Sequence, residues 1–386
     1  MRTTVTESVV SGLVLLLILL PARALACTTV IVSAEASVTG RPMIWKQRDA
    51  GEGHNIMAYV KGEKYAYTEL VATSDSLHKK AYAGINEAGF AIANNLSYNL
   101  RQVLDDPGTR NGELMGRALG ECGSVVDFIA FLEAWEQPRG VSANFAVMDA
   151  NGGAAYFEVS DTAYVRFDVP RGGYLYRTNF SLSGKENEGG GHVRYETVGE
   201  RLKQHGSRKI DAAFFFREGR SFINVLDGGD ALRFRHGGLL NQHDFITRDS
   251  SVSSVVIEGV APGEAPSTGM MWCAVGWPPS CYALPVWVAA GEQIAAPVTS
   301  EANLLSLELK RSVRAFPWEG GEKYLKVAPL RRILRAVRRA EKTELRAGAA
   351  LNRRFRESGF CLEDVIEYNA QAQTRFEAFR NQVKKP

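Results

Sequence analysis

A cysteine stands directly after a run of small residues that is typical of a signal-peptidase site. In "PARALACTTVIVS", Ala24 and Ala26 put small side chains at the two positions that the peptidase inspects. Cleavage after Ala26 would give Cys27 a free α-amine, with a reference pKa of about 7.7–8.0, beside a thiol with a reference pKa of about 8.5. Such an amine can accept the thiol proton and later return it to a leaving amine. The sequence therefore predicts that cleavage creates an N-terminal cysteine nucleophile.

The segment before this cysteine has the parts of a secretory signal. Arg2 supplies the basic first part, and an apolar run from Val9 to Leu20 precedes the small residues. This run is too short to span a bilayer comfortably, which takes about 20 residues. We therefore predict that residues 1–26 are a removed signal peptide and that the mature chain, beginning at Cys27, is periplasmic or secreted.

Cys27 has two other interpretations. A bacterial lipoprotein carries lipid on the cysteine after its signal, but that signal usually has a larger aliphatic residue three positions before the cysteine and a small one two before. Ala24 and Leu25 stand in the reverse order. Cys27 could instead form an ordinary disulfide, because exported chains meet an oxidising compartment. Four of the five cysteines could pair and leave one thiol free: Cys27, Cys122, Cys273, Cys281 and Cys361.

The composition argues against several kinds of partner. The 386 residues carry 46 basic and 43 acidic side chains, a net charge of +3, so no strong field favours nucleic acid. The cysteines form no C-x-x-C pair and the histidines no H-x-x-x-H pair, so no metal is implied. No organic cofactor is implied either. The sequence leaves the oligomeric state open, including a homo-oligomer.

Alternating and β-branched segments predict strands over most of the chain up to about Pro285. Helical periodicity lies between groups of strands, as in "GELMGRALGECGSVVDFIAFLEAW", "RYETVGERLKQH" and "DAAFFFREG". This order favours antiparallel sheets covered by helices over a doubly wound parallel fold. Gly84 and Gly89 are predicted at bends, residues 163–180 are predicted to continue one sheet, and residues 184–193 to form a mobile surface loop.

From about Val327 onward the chain is helical and rich in arginine. An apolar stripe runs through this part among the arginines, at Leu330, Leu334, Val337 and Leu345. We predict that residues 321–386 form a basic helical extension packed on the body. The alternative is contact with an anionic membrane surface.

Four segments together resemble the N-terminal nucleophile (Ntn) hydrolases, in the branch of choloylglycine hydrolases, penicillin V acylases and penicillin-acyltransferase-like cysteine peptidases. "CTTVIVS" with "GRPMIWKQRD" is similar to their nucleophile strand and its partner strand, and "GINEAGFAIANN" to their G-x-N-E-x-G turn. "TNF" at residues 178–180 is similar to the segment that supplies an oxyanion amide, and "HVRYETVGERL" to a helix that opens with an arginine. The resemblance implies an α+β fold, a four-layer αββα sandwich with antiparallel sheets, over residues 27–320.

The resemblance also implies roles for individual residues. Cys27 corresponds to the nucleophile and Asp49 to the aspartate that holds the N-terminal amine. Asn179 corresponds to the oxyanion amide. A backbone N–H in the turn containing Asn95 and Leu96 would complete the oxyanion hole.

The cations near the nucleophile depart in part from the family pattern. Arg194 corresponds to the distal arginine of the charge network. Bile-salt hydrolases have arginine three residues before the aspartate, whereas this chain has Lys46 there. Lysine supplies charge without the planar fork of arginine. This difference argues against bile-salt specificity and favours the acyltransferase-like branch. A cation near the thiol lowers its pKa, a role open to Lys46 or Arg194.

The predicted activity is hydrolysis of a linear, non-peptidic N-acyl amide with a hydrophobic acyl group, through a thioester on Cys27. Three alternatives stay open. An amine could replace water as the acyl acceptor, Cys27 could anchor a non-enzymatic ligand-binding lipoprotein, or a later cysteine could act with His243. Asn95 and Asn179 also lie in glycosylation sequons, and a glycosylated Asn179 could not act as a donor. We therefore expect either a bacterial-type exported protein or an unmodified Asn179.

Overall fold

The computed structural model describes the chain from Ala26 to Lys384 with five internal gaps. The described residues are 26–51, 53–103, 110–234, 238–242, 244–315 and 324–384. The predicted signal peptide lies outside them except for Ala26. His243 and the predicted boundary at residues 320 and 321 also lie outside the described residues.

The described residues form seventeen strands and eight α-helices. The strands are β1 (Thr28–Val32), β2 (Met43–Asp49), β3 (Asn55–Lys61), β4 (Ala66–Ala72), β5 (Ala83–Asn86), β6 (Ala91–Leu96), β7 (Ala143–Met148), β8 (Ala154–Val159), β9 (Tyr164–Asp168), β10 (Tyr174–Arg177), β11 (Ile223–Asn224), β12 (Gly229–Asp230), β13 (Leu239–Asn241), β14 (Ser251–Glu258), β15 (Met270–Val275), β16 (Leu284–Trp287) and β17 (Tyr324–Lys326). The helices are α1 (Asn111–Glu121), α2 (Val125–Ala134), α3 (His192–His205), α4 (Ala212–Glu218), α5 (Ala231–Phe234), α6 (Ala302–Val313), α7 (Val327–Ser358) and α8 (Leu362–Lys384).

Two antiparallel sheets lie at the centre of the molecule. One has six strands in the order β10-β1-β2-β14-β15-β16, and the other has seven strands in chain order from β3 to β9. The second sheet is a meander, since each strand pairs with the next along the chain. The sheets pack face to face, with β1 and β2 against β6 and β7. The apolar layer between them includes Ile31, Ile44, Ala93 and Ala146, all fully buried.

Helices cover the outer faces of both sheets. On the meander, α1 contacts β4, β5 and β6, and the aromatic ring of Phe128 in α2 packs edge-on against Phe157 of β8 at 5.1 Å between ring centres. On the six-stranded sheet, α3 contacts β10, α4 contacts β14 and α7 contacts β16. The layers therefore follow the order helix, sheet, sheet, helix. The predicted αββα sandwich with antiparallel sheets and C-terminal helices is confirmed.

Residues 163–180 do not continue a single sheet, so that prediction is wrong. β9 forms the edge of the meander, whereas β10 pairs with β1 in the other sheet. The turn between them closes with a hydrogen bond from Gly173 N to Pro170 O at 2.9 Å. This tight turn carries the chain across to β10, whose last residue, Arg177, lies beside the start of β1.

Gly84 lies within β5 rather than at a bend. Glycine is needed there because α1 lies close to the backbone of β5. A Cβ atom on Gly84 would lie 2.5 Å from Leu119 Cδ1 and 2.8 Å from Thr68 O, closer than any side chain tolerates. Gly89 does lie at the bend, where its φ of 81° favours glycine. The "GINEAG" segment therefore uses one glycine for close packing and the other for the turn.

The C-terminal helices pack on the six-stranded side of the sandwich. Leu330, Leu334 and Val337 lie in the main core, and Leu345 is partly buried against it. The guanidinium of Arg220, just after α4, forms two hydrogen bonds of 2.5 Å with the Glu341 carboxylate of α7, and both side chains are buried. Across the described residues, no helix combines the length and apolar character that a membrane span requires.

Replacing Glu341 with Ala should lower the free energy of unfolding by about 3–5 kcal/mol, because the Arg220 charge then stays buried without its partner. The matched control is Glu121→Ala, which removes the exposed pair that Glu121 forms with Arg117 at 3.0 Å. That change should cost about 0–1 kcal/mol. Urea unfolding followed by circular dichroism measures both losses. Equal, small losses would show that Glu341 does not fix α7 to the body.

Candidate active site

Cys27 lies at the start of β1, between the two sheets, and its backbone is held on both sides. Its nitrogen donates to Asn179 Oδ1 at 2.8 Å, and its carbonyl oxygen accepts from Arg194 Nη1 at 2.7 Å. The side chain is 9% exposed, and Sγ lies 3.9 Å from the backbone oxygen of Asp49. In the described chain the Cys27 nitrogen is the peptide nitrogen that follows Ala26, which is itself buried.

Asn179 follows β10 and connects three parts of the site. Its Oδ1 accepts from the Cys27 nitrogen and from Arg194 Nη2 at 2.9 Å. One N–H of its Nδ2 donates to Leu96 O, the last carbonyl of β6, at 2.8 Å. Its own backbone forms a bridge with Gly190, which fixes one end of the predicted mobile loop. The amide is therefore oriented by contacts from β1, β6 and α3.

Arg194 lies in the first turn of α3 and is fully buried. Besides its contacts with Cys27 and Asn179, it donates to Thr28 Oγ1 at 2.9 Å. The chain before α3 fits closely around it, because a Cβ atom on Gly191 would lie 2.3 Å from Arg194 Nη2. Burial, and next the charge of Arg248, lower the pKa of Arg194 to about 10. The guanidinium remains charged at neutral pH.

Lys46 reaches the thiol from β2, the strand paired with β1. In this register Lys46 lies opposite Thr29, two residues after the nucleophile. Its ammonium is buried and donates to both Asn94 Oδ1, at 2.9 Å, and Asn94 O. Burial lowers the pKa of Lys46 to about 8, while attraction to the Cys27 side chain opposes that change. The positive charge next to the thiol is therefore lost at mildly alkaline pH.

The Asp49 carboxylate does not contact the Cys27 nitrogen. Its Oδ2 accepts from Arg248 Nε at 2.8 Å, and its Oδ1 accepts from Ser251 Oγ at 2.6 Å. Ser251 lies opposite Asp49 in the register of β2 and β14. These two partners occupy both carboxylate oxygens, so the contact predicted for Asp49 is made by Asn179 Oδ1 instead.

Asn95 and Leu96 lie at the end of β6 rather than in a turn. Ser97 N donates to Ser142 O at 3.0 Å, which continues the pairing of β6 with β7. Because strand amides point alternately to opposite neighbours, the N–H of Asn95 also points to β7 and that of Leu96 points away, toward Asn179. The Asn95 side chain accepts from Thr29 Oγ1 and donates to Arg177 O at 3.2 Å. Leu96, not Asn95, is thus the predicted backbone residue that faces the site.

The other cysteines differ from Cys27 in their surroundings. None of the five forms a disulfide, so the pairing considered for four of them is absent from the described residues. Burial raises the pKa of Cys122 and of Cys281 to about 12, and that of Cys273 well above its ordinary value. A thiol is nucleophilic only as the thiolate, so these three are poor candidates for a later nucleophile.

Two site features were not predicted from the sequence, Arg248 and Ser251. Arg248 lies 199 positions and Ser251 lies 202 positions after Asp49 in the chain, and only strand pairing brings them together. Both predicted sequon asparagines are buried, Asn95 fully and Asn179 with 1% exposure, so the folded chain presents neither to a glycan. No group of three or more His, Cys, Asp or Glu side chains suited to a metal occurs in the part of the chain that the structure describes.

Residues 56–214 match the family model described as acyl-coenzyme A:6-aminopenicillanic acid acyl-transferase. The predicted resemblance is confirmed. The matched segment includes the G-x-N-E-x-G turn, Leu96, Asn179 and Arg194, whereas Cys27, Lys46 and Asp49 lie before it. No curated protein matches the chain.

Several solved structures are similar to this chain over most of their own length. One is the N-acylethanolamine-hydrolyzing acid amidase ortholog of Caenorhabditis elegans, at 12% identity and a TM-score of 0.40, covering 60% of this chain and 92% of that one. Another is penicillin V acylase of Agrobacterium tumefaciens, at 14% identity and a TM-score of 0.42, covering 68% of this chain and 86% of that one. A third is a variant of the conjugated bile acid hydrolase of Clostridium perfringens, at 13% identity and a TM-score of 0.37, covering 65% of this chain and 89% of that one.

Proposed function

We propose that this protein is an exported cysteine amidohydrolase that cleaves a linear, non-peptidic N-acyl amide through an acyl-enzyme on Cys27. The observation that carries the proposal is the contact of the Cys27 nitrogen with Asn179 Oδ1 at 2.8 Å, beside a buried Lys46 that interacts with the Cys27 side chain. The acyl-transferase match supports amidohydrolase or acyltransferase chemistry. We further propose that Cys27 is the nucleophile and that the chain is exported.

The first chemical step would transfer the acyl group to sulfur. After cleavage behind Ala26, the Cys27 amine would accept the thiol proton, and the thiolate would attack the carbonyl carbon of the substrate. A C–S bond forms, and the carbonyl oxygen gains the negative charge of a tetrahedral intermediate. When the C–N bond breaks, the Cys27 amine returns the proton to the leaving nitrogen. Water then attacks the thioester, releases the acid and restores the thiol.

Asn179 and Leu96 would stabilise the oxyanion. One N–H of Asn179 Nδ2 donates to Leu96 O, and the second N–H of that amide is the donor that the proposal assigns to the oxyanion. The backbone N–H of Leu96 points away from β7 toward the same region. Arg194 would act as a positioning residue, because it binds Cys27 O and Asn179 Oδ1 rather than facing the thiol. Asp49 would act only indirectly, since its carboxylate is bound by Arg248 and Ser251.

Lys46→Met should remove the basic limb of the pH profile of kcat/KM. Below pH 8 the Lys46 ammonium is charged and stabilises the thiolate, and this stabilisation is lost as pH rises through the pKa of about 8. The wild type should therefore lose activity above about pH 8, whereas Lys46→Met should be slower at neutral pH without that loss. Initial rates from pH 6 to 10 measure this. The control is Lys61→Met, which removes an exposed lysine at the end of β3 and should keep the basic limb. A basic limb retained in Lys46→Met would exclude the role of Lys46.

The experiment that tests the function uses the chain recovered from an exported fraction. N-terminal sequencing should find Cys27 first, with an unmodified amine. A panel of N-acyl amino acids, with the acyl chain lengthened stepwise, should give the free acid and the free amine in equal amounts. A lipid-sized mass on Cys27 without hydrolysis of any substrate would replace the proposal with a ligand-binding lipoprotein.

Acyl transfer is the second candidate function. It is supported by the matched family model, which is described as an acyl-transferase. Both activities would share the acyl-enzyme and differ only in the acceptor of the second step. Adding hydroxylamine or a second amine to the assay separates them. Formation of the acylated amine in preference to the acid at millimolar acceptor would assign a transferase, whereas release of the acid alone would assign a hydrolase.

A further inference from the structure

A large groove lies on the outer helical layer, between α7 on one side and α3, α4 and the segment after α4 on the other. Its volume is about 980 Å³, at the upper end of the range of ligand sites. We call it the basic groove. Its α7 wall comes from residues three or four positions apart, which lie on one face of the helix: Arg331, Leu334, Arg335, Arg338, Glu341, Lys342, Leu345, Arg346 and Ala349. No residue of the candidate active site lines it.

The basic groove has an excess of positive charge. Eight cationic and four acidic side chains line it. Glu341 pairs with Arg220, and Glu218 pairs with both Arg201 and Arg217. The acidic side chains therefore neutralise Arg201, Arg217 and Arg220, the cations opposite α7.

The cations on the α7 wall have no acidic partner within the part of the chain that the structure describes. Among the described residues, no ion pair involves Arg335, Arg338, Lys342 or Arg346. All four are exposed, and they follow one another along about three turns of α7. Four neighbouring like charges repel one another unless an anion lies between them. Guanidinium forks match the oxygen geometry of a phosphate, to which each arginine can donate two hydrogen bonds.

Apolar side chains also line the basic groove. Phe222 and Leu232 are buried side chains at its wall, and Ile223 and Leu345 are partly exposed to it. A site for a small inorganic anion would not need these apolar walls or this volume. A nucleic acid would meet a row of phosphates with cations on an open surface, not an apolar cleft between helices. The pattern of an apolar cleft with cations along one rim matches a molecule with a hydrocarbon chain and an anionic head.

We propose that the basic groove binds a phosphate-headed acyl lipid, with its chain against Ile223, Leu345 and Ala349 and its phosphate on the α7 cations. The site is separate from Cys27, and the proposal does not depend on the function proposed above. Two sources share this chemistry: a lipid taken from an anionic bilayer, and a free single-chain lipid phosphate. The position of the cations at the rim leaves the phosphate in contact with solvent in both cases.

The test measures binding of n-alkyl phosphates, from butyl to dodecyl, to the full mature chain by titration calorimetry below their micellar concentrations. Affinity should rise by up to about fourfold for each methylene that the groove buries. Arg338→Gln with Arg346→Gln should weaken binding at least about tenfold. The matched control, Arg332→Gln with Arg339→Gln, removes the same charge from α7 outside the basic groove and should change affinity less than twofold. Equal weakening by both pairs, or equal affinity for inorganic phosphate and dodecyl phosphate, would overturn the proposal.

A second variant tests the apolar part. Ala349 is exposed on α7 and lines the basic groove, so Ala349→Trp should fill it while α7 stays folded. The variant should lose the dependence of affinity on chain length. Phosphatidylglycerol vesicles, with phosphatidylcholine vesicles as the neutral control, then separate the sources. Binding to the anionic vesicles that Ala349→Trp weakens assigns a bilayer lipid, and binding of alkyl phosphates alone assigns a free lipid. Vesicle binding without any binding of alkyl phosphates would reduce the basic groove to a charged surface.

Discussion

Cys27→Ala should abolish hydrolysis, with kcat reduced on the order of 10⁴-fold or more, because no other nucleophile takes part in the proposed reaction. The variant should keep its fold, since the backbone contacts of Cys27 with Asn179 and Arg194 do not involve the thiol. Steady-state rates on the best amide of the panel measure the loss, and circular dichroism checks the fold.

The matched control for this variant is Cys361→Ala. Cys361 is partly exposed and lies between α7 and α8, in the C-terminal part of the chain. Its replacement should leave kcat unchanged within about twofold. Activity that survives in Cys27→Ala and is lost in Cys361→Ala would reverse the assignment of the nucleophile. Loss in neither variant would show that the reaction does not use these thiols.

Asn179→Ala should lower kcat by about 10²–10³-fold, the effect of removing one oxyanion donor. KM should change little, because the donor acts mainly on the charge that develops in the transition state. A larger loss is expected if the Cys27 amine also shifts, since Asn179 Oδ1 accepts from the Cys27 nitrogen. Separate determination of kcat and KM, together with the N-terminal pKa from the acidic limb of the pH profile, distinguishes the two contributions.

The control for Asn179→Ala is Asn86→Ala. Asn86 is fully buried, and its Nδ2 donates to Leu119 O and Cys122 O at 2.8 and 2.7 Å, on the side of the meander that α1 covers. Both variants should lose stability, by about 1–3 kcal/mol for the carbonyl groups left unpaired. Only Asn179→Ala should lose kcat per folded molecule. Comparable losses of kcat in both variants would assign Asn179 a purely structural role.

Much of the architecture could be predicted from local patterns. The strands of the meander alternate regularly and follow one another along the chain, so periodicity and turns are enough to find them. The change of sheet between β9 and β10 could not be predicted, because both strands look alike locally and only the pairing of β10 with β1 separates them. Gly84 was predicted at a bend for a similar reason: the need for glycine there comes from Leu119 of α1, 35 positions away in the chain.

In the candidate active site, too, some residues could be predicted from the sequence and others could not. Cys27, Lys46, Asn179 and Arg194 were predicted, and the structure brings them together through hydrogen bonds and through the pairing of β1 with β2. The partners of Asp49 were missed, because Arg248 is an ordinary surface-type residue in the sequence. Only the pairing of β14 with β2 places Arg248 beside Asp49.

The proposed mechanism requires an unblocked Cys27 that carries the acyl group. The most direct measurement is acid quenching of the mature chain during turnover of an N-acyl amide, followed by mass spectrometry of its N-terminal peptide. We predict a peptide that begins at Cys27 and is heavier by the acyl group less one hydrogen. Hydroxylamine should remove this label because it is a thioester. An active chain that begins upstream of Cys27, or an acyl group on another residue, would contradict it.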